Sequence, residues 1–245
     1  MDWLMKSSVV IIPTYNEIEN IEAIIRAIFS QSEFVNILIV DDNSPDLTAV
    51  KVKELQKEFP DRLYLETRKE KAGLGTAYIH GFKWALKKEY HFIFEMDADF
   101  SHDPKDLIKL YSACQMDKAD VSIGSRYITG VNVVNWPLNR ILMSYMASVY
   151  VRMITGMTIR DTTAGFVCYR REVLETLDLN EIKFIGYAFQ IEMKFKAYLK
   201  KFKIVEIPVI FTDRTKGESK LSSGIISEAI FGVISMKIKS VFKKE

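Results

Sequence analysis

The 245-residue chain has few of the residues that build most metal and redox centres: two cysteines and three histidines. Cys114 and Cys168 have neither CxxC nor histidine spacing, which argues against zinc and dithiol chemistry and predicts two reduced core thiols of a cytosolic protein. His80, His91 and His102 form no ligand pattern, so no catalytic histidine is expected. The net charge is only +2, too small an excess of one sign for nucleic acid to be the main partner. No uncharged run reaches the roughly 18 residues needed to cross a bilayer. Met1–Lys6 lacks the apolar centre of a signal peptide, and the expectation is a soluble or peripheral protein. There is no Walker A sequence. Gly73-Leu74-Gly75 follows a charged loop and its third glycine comes too late for a dinucleotide fingerprint, which argues against P-loop and Rossmann dehydrogenase chemistry.

What is present is alternation. Apolar, β-rich runs at Val9–Ile12, Ile37–Val40, Leu63–Glu66, Phe92–Met96 and Val121–Gly124 are separated by helical patterns at Ile18–Gln31, Leu47–Glu58, Thr76–Lys88 and Pro104–Gln115. This predicts an α/β fold with a mostly parallel, doubly wound sheet and ligand sites at the carboxyl ends of the strands. Pro13 is expected to stop the first strand and Asn16 to cap the helix after it. The second half is less regular: helices are predicted over Leu138–Ile154, Arg171–Leu177, Ala188–Lys200 and Ile225–Val241, with extended segments at Gly165–Tyr169 and Ile204–Ile207. Without repeats or long linkers, the chain reads as one domain.

Three predicted strand ends carry polar clusters: Pro13–Glu17, Asp41–Asp46 and Asp97-Ala98-Asp99. Side chains at i and i+2 of an extended segment point the same way. Asp97 and Asp99 can therefore converge on one hard cation, Mg²⁺ or Mn²⁺, whose shell substrate phosphates complete. The alternative is a strand-end turn whose acids cap the next helix.

These residues also carry a resemblance. PTYNEIEN at Pro13–Asn20, VDDNSPD at Val40–Asp46, GLGTAYIHG at Gly73–Gly81, MDADFSHDP at Met96–Pro104 and GSRY at Gly124–Tyr127 resemble inverting family-2 glycosyltransferases. With Asp161–Phe166 and RTKGESK at Arg214–Lys220, the set looks like the dolichyl- or polyprenyl-phosphate mannose synthases and covers nearly the whole chain. The resemblance implies a GT-A fold, GDP-mannose as donor, a polyprenyl or dolichyl phosphate lipid as acceptor, and Mg²⁺ or Mn²⁺. It divides the domain into a nucleotide-sugar half, about residues 8–126, and an acceptor half, about residues 127–245. It assigns nucleotide contacts to Pro13, Tyr15, Glu17, Val40, Asp42 and Ala98, and metal or catalytic roles to Asp97 and Asp99. Ser101 is a weaker candidate metal ligand, standing where some relatives have Gln. Arg214 and Lys220 are expected on the diphosphate, Arg126, Arg140 and Ser144 on the acceptor phosphate, and Gln190 near the sugar. Asp41 is read as the structural member of its acidic pair.

A phosphate acceptor would explain why no dedicated base is visible, because a phosphomonoester is largely dianionic at neutral pH. Related readings keep the donor site but use UDP-glucose, a UDP-aminosugar or a hydroxyl acceptor. A hydroxyl would need a carboxylate base, with Asp161 the nearest candidate. The non-enzyme reading is an inactive sugar-nucleotide-binding subunit. Leu138–Met157 and Ile225–Val241, the latter with Lys237, Lys239, Lys243 and Lys244 near its end, could meet a membrane surface. The expected location is cytoplasmic, peripheral on the cytoplasmic face of a membrane, with a separate anchoring subunit as a possible partner.

Overall fold

The computed structural model describes residues 7–186, 188–213 and 223–242. The first half alternates β1 (Ser8–Thr14), α1 (Ile21–Phe29), β2 (Val35–Asp41), α2 (Thr48–Leu55), β3 (Leu63–Thr67), α3 (Leu74–Lys87), β4 (Phe92–Glu95), α4 (Leu107–Gln115) and β5 (Val121–Ser125). The second half adds β6 (Val133–Val134), α5 (Leu138–Thr155), β7 (Val167–Arg170), α6 (Arg171–Thr176), α7 (Ala188–Leu199), β8 (Ile204–Pro208), β9 (Phe211–Thr212) and α8 (Ser223–Phe242).

Seven strands form one sheet in the order β3-β2-β1-β4-β7-β5-β8. All neighbours are parallel except β7, which runs antiparallel to β4 and β5. β1 is an interior strand: the chain first winds outward through β2 and β3, then returns to lay β4 on its other side. That reversal opens a crevice at the carboxyl ends of β1 and β4. β1 is covered on both faces, which is why it reads as an uninterrupted apolar run. Val9 and Ile11 pack with Tyr78 and Phe82 of α3, while Val10 and Ile12 pack with Ile21, Ile24 and Ile28 on the opposite side. A Cβ at Gly81 would lie 2.6 Å from Ile11 Cγ2, so glycine is what lets α3 lie close against the sheet.

Two local expectations are corrected. Pro13 does not stop β1, which continues to Thr14 in register with β2. Ile11 accepts from Met96 N and Thr14 from Asp42 N, so the position of Pro13 faces the β4 side, after β4 has ended. A residue without an N–H costs no ladder bond there. Asn16 does not cap α1; it has φ +59°, and the cap position is Asn20, four residues on. Asn16 instead donates its backbone N–H to Ser44 Oγ at 3.1 Å, joining the loops after β1 and β2.

The helices of the second half form where the pattern places them. Gly156 ends α5 at φ +80°, the left-handed cap that glycine adopts without strain. α5 and α8 lie side by side, with Tyr150 Oη donating to the Ile230 carbonyl at 2.9 Å and Lys237 Nζ to the Thr155 carbonyl at 3.2 Å.

Candidate active site

Each strand-end loop holds a non-glycine residue at positive φ: Asn16 after β1, Asn43 and Leu47 after β2, Phe100 after β4. For Leu47 (φ +71°) and Phe100 (φ +59°) that conformation is costly, and such residues persist only where surrounding bonds fix them. The bonds are visible. Asp46 accepts from Thr48 N, Thr48 Oγ1 and Ile18 N, and Glu17 N donates to Thr48 Oγ1 at 3.1 Å. Asp41, fully buried, accepts from Thr14 Oγ1 at 2.8 Å, Ser44 Oγ at 2.6 Å and Ser44 N at 2.9 Å. It is the structural acid, as expected.

Asp42 has a partner the sequence reading missed. Arg68, just after β3, meets its carboxylate as a fork, Nε to Oδ1 at 2.6 Å and Nη2 to Oδ2 at 2.7 Å, and also donates to Thr76 Oγ1 at 2.7 Å. Beside them Lys71 Nζ lies 4.4 Å from the Tyr15 ring centroid. Val40 is buried in β2, and Pro13, Tyr15 and Glu17 are half-buried along the same edge. This edge presents a flat ring beside an oriented carboxylate.

β4 ends at Glu95, so Asp97 and Asp99 stand in the bend beyond the strand, flanking buried Ala98. Both acids are half-buried. Asp97 accepts weakly from Tyr78 Oη at 3.4 Å, and Asp99 accepts from Ser101 N at 3.0 Å. Ser101 Oγ is buried without a hydrogen-bond partner among the described residues. Among the described residues no group of three or more His, Cys, Asp or Glu converges. Two carboxylates and an orphaned hydroxyl suit a hard cation whose remaining ligands come from a diphosphate and water. His102 stacks on Phe166 at 4.9 Å and meets Phe211 edge-on at 5.3 Å. Burial pulls its imidazole down to about 4, against the opposing pull of Asp99, so it is neutral at neutral pH.

Behind the diacid bend lies a buried polar chain. Lys194 Nζ donates to the Ala164 carbonyl at 2.6 Å, the Gln190 carbonyl at 3.2 Å and Gln190 Oε1 at 3.2 Å; Gln190 Nε2 donates to Glu95 Oε2. Burial pushes the Glu95 carboxyl up and the Lys194 ammonium down, each opposed by the other's charge. Gln190 is thus held between these two and is 2 % exposed.

At the far end of the sheet, Arg126 follows β5. Asp161 accepts from its Nε and Nη2, each at 2.7 Å, and from its backbone N at 2.9 Å; Thr163 Oγ1 takes a further bond at 2.8 Å. Burial raises the Asp161 carboxyl, but the charge and hydrogen bonds of Arg126 outweigh it and hold the group below its ordinary value. Asp161 is therefore not placed to act as a base. Arg140 Nη1 contacts both oxygens of Asp213 at 2.8 Å, and Ser144 Oγ accepts from Tyr127 Oη at 2.8 Å. Ser144 and Arg140 share one face of α5, as their spacing predicts. Arg214 and Lys220 lie outside the described residues.

Residues 9–178 match the glycosyl transferase family 2 model. The chain belongs to that family and is a glycosyltransferase. It is 45 % identical over 232 residues to the polyprenol monophosphomannose synthase of Mycolicibacterium smegmatis, covering 95 % of this chain and 87 % of that protein. It is 41 % identical to the undecaprenyl-phosphate mannosyltransferase of Micrococcus luteus, over 91 % of this chain and 90 % of the relative. The dolichol-phosphate mannosyltransferase of Pyrococcus furiosus is also 41 % identical, but this chain spans only 61 % of its length. Among solved structures, glucosyl-3-phosphoglycerate synthase from Mycobacterium tuberculosis, in complex with Mn²⁺, UDP and glucosyl-3-phosphoglycerate, superposes with a TM-score of 0.70 at 14 % identity. That superposition covers 95 % of this chain and 80 % of the other. The fold is the GT-A fold that the resemblance implies.

Proposed function

We propose that this glycosyltransferase transfers mannose from GDP-mannose to a dolichyl or polyprenyl phosphate with inversion, assisted by Mg²⁺ or Mn²⁺. The observation that carries the reading is the state of Asp161. The carboxylate nearest to a base role is committed to Arg126 on both oxygens, so a neutral hydroxyl acceptor would find no base there. A phosphomonoester, with its second pKa about 6, brings its own anionic oxygen. The demands on the protein are then alignment and charge neutralisation. The similarity to mannosyltransferases whose names specify polyprenol, undecaprenyl and dolichol phosphate supports the same acceptor class.

In this reading Pro13, Tyr15, Glu17, Val40, Asp42 and Ala98 hold the nucleotide, with Arg68 fixing Asp42. Asp97, Asp99 and Ser101 would hold the divalent cation, which when bound neutralises the diphosphate and acts on it as a Lewis acid. Arg126, Arg140 and Ser144 receive the acceptor phosphate, and Arg214 and Lys220 are assigned to the diphosphate. No helix among the described residues is long and apolar enough to cross a membrane. The lipid is met at the surface, on the cytoplasmic face, by the exposed apolar residues of α5 and α8; a separate anchoring subunit is a compatible partner.

A thermal-shift screen of nucleotide sugars with Mg²⁺ or Mn²⁺ tests the donor. Stabilisation by UDP-glucose or a UDP-aminosugar and not by GDP-mannose would overturn the assignment. Labelled product should partition into chloroform–methanol; product left in the aqueous phase would favour a non-lipid acceptor. Asp99→Asn should abolish metal-dependent transfer with its melting temperature intact, and retained turnover would remove the metal role. Failure of wild-type protein to release GDP from GDP-mannose, Mn²⁺ and a short polyprenyl phosphate would favour an inactive binding subunit.

A further inference from the structure

The two arginines assigned to the acceptor phosphate share a neighbour whose role is so far unaccounted for. The guanidinium carbon of Arg140 lies 4.0 Å from the Trp136 ring centroid, and that of Arg126 lies 5.5 Å from it. Phe211 meets the same indole edge-on at 5.1 Å. The Trp136 Nε1 is buried and has no hydrogen-bond partner among the described residues. Stacking engages the face of a guanidinium and leaves its donor edge for an anion.

Each arginine meets a carboxylate, but the two pairs are unequal. Asp161 is fully buried and takes Nε and Nη2 of Arg126 in a fork, together with the Arg126 backbone N–H. Asp213 has a side chain 25 % exposed, and both of its oxygens share the single Nη1 of Arg140. That geometry lacks two parallel bonds, and its exposure to water weakens it further.

We propose that the dianionic acceptor phosphate replaces Asp213 on Arg140, and that Trp136 is the positioning residue that holds the Arg140 guanidinium beside Arg126 during the exchange. The inference rests on the acceptor class proposed above. Like charge drives the exchange: a phosphate dianion arriving at the Arg140 guanidinium meets the Asp213 carboxylate already there. Asp161 is too deeply bonded to leave, so Asp213 is the group that yields. Trp136 keeps Arg140 from following it.

The test uses the full chain with vesicles containing a short polyprenyl phosphate, varying acceptor and GDP-mannose separately. Trp136→Leu should raise the acceptor KM about tenfold while the donor KM changes less than about twofold. Trp136→Phe, which keeps the ring face, should return the acceptor KM to within about threefold of wild type, and melting curves of both variants exclude global unfolding. Asp213→Asn should lower the acceptor KM by about threefold. An unchanged acceptor KM in Trp136→Leu, or a proportional rise in both KM values, overturns the positioning role. An unchanged or higher acceptor KM in Asp213→Asn overturns the exchange. Binding is read independently of turnover by tryptophan fluorescence: farnesyl phosphate should quench wild type, and Trp136→Phe should lose that quenching. Equal quenching by farnesol, or by inorganic phosphate at the same concentration, overturns the assignment to a lipid phosphate. Binding of farnesyl phosphate without transfer from any sugar nucleotide would defeat the proposed function and leave the exchange standing.

Discussion

At the scale of single residues, the site is built by partners that fix its acids. Asp42 is 8 % exposed at the side chain and held by the fork from Arg68, so its orientation is set within the protein, before the nucleotide proposed to bind there would arrive. Arg68→Met would remove that fork from a buried carboxylate, and its reorientation should raise the donor KM by about tenfold with the acceptor KM unchanged; an unchanged donor KM, or an equal rise in both, would sink the role. His102 gives a pH signature. Its folded value, about 4, lies below the ordinary unfolded value near 6.5, so between these the unfolded chain binds the extra proton. Stability from this group is present above about pH 6.5 and is lost as the pH falls towards 4. In urea melts at pH 5 and pH 7.5, His102→Phe, which keeps an aromatic ring against Phe166, should lose less stability on acidification than wild type. An identical loss would show that other groups carry the acid sensitivity.

At the scale of elements, the parts legible in the sequence were those with local signals. The strand ends at Asp97-Ala98-Asp99 and Asp41-Asp42, the Thr155-Gly156 stop of α5 and the alternation of strands and helices are all read within a few residues. The pairings were not, because they join distant positions: Asp42 and Arg68 are 26 residues apart, Arg126 and Asp161 35, Arg140 and Asp213 73. Pro13 and Asn16 misled because their roles depend on where a neighbouring strand ends and on a bond to Ser44. Gln190 was marked as a functional residue, but its buried bridge between β4 and α7 depends on Glu95 and Lys194, which the sequence reading did not single out. Removing the ammonium of that bridge, as in Lys194→Met, should cost about 1–3 kcal/mol, because the Ala164 carbonyl and Gln190 lose their buried donor. Adding Glu95→Gln should recover little of that loss in equilibrium urea unfolding at pH 7, where burial already keeps the Glu95 carboxyl largely protonated. A double variant restored to near wild-type stability would show that Lys194 acts chiefly by neutralising an ionised Glu95.

At the scale of the whole molecule, the apolar surface is concentrated on two adjacent helices. α5 exposes Leu138, Leu142, Met143, Met146 and Met153, and α8 exposes Phe231, Ile238, Val241 and Phe242. Exposed apolar surface on neighbouring helices is what an interaction site offers, and under the function proposed above, with the acceptor's tail in a bilayer, that site would meet the membrane surface. The two forces available there differ in size. Burying one phenylalanine is worth about 1.5–3 kcal/mol, whereas a lysine such as Lys239 near anionic headgroups contributes about 1 kcal/mol. Insertion should therefore dominate over charge. In flotation with anionic vesicles, Phe231→Ser should lower the partition coefficient by about 30-fold and Lys239→Gln by about fivefold. High salt should abolish the lysine effect, since screening shortens the reach of exposed charges, and leave the phenylalanine effect in place. Flotation that is salt-reversible and insensitive to Phe231→Ser would mean that the protein rests on headgroups without inserting. The lipid phosphate would then have to rise out of the bilayer to reach Arg140.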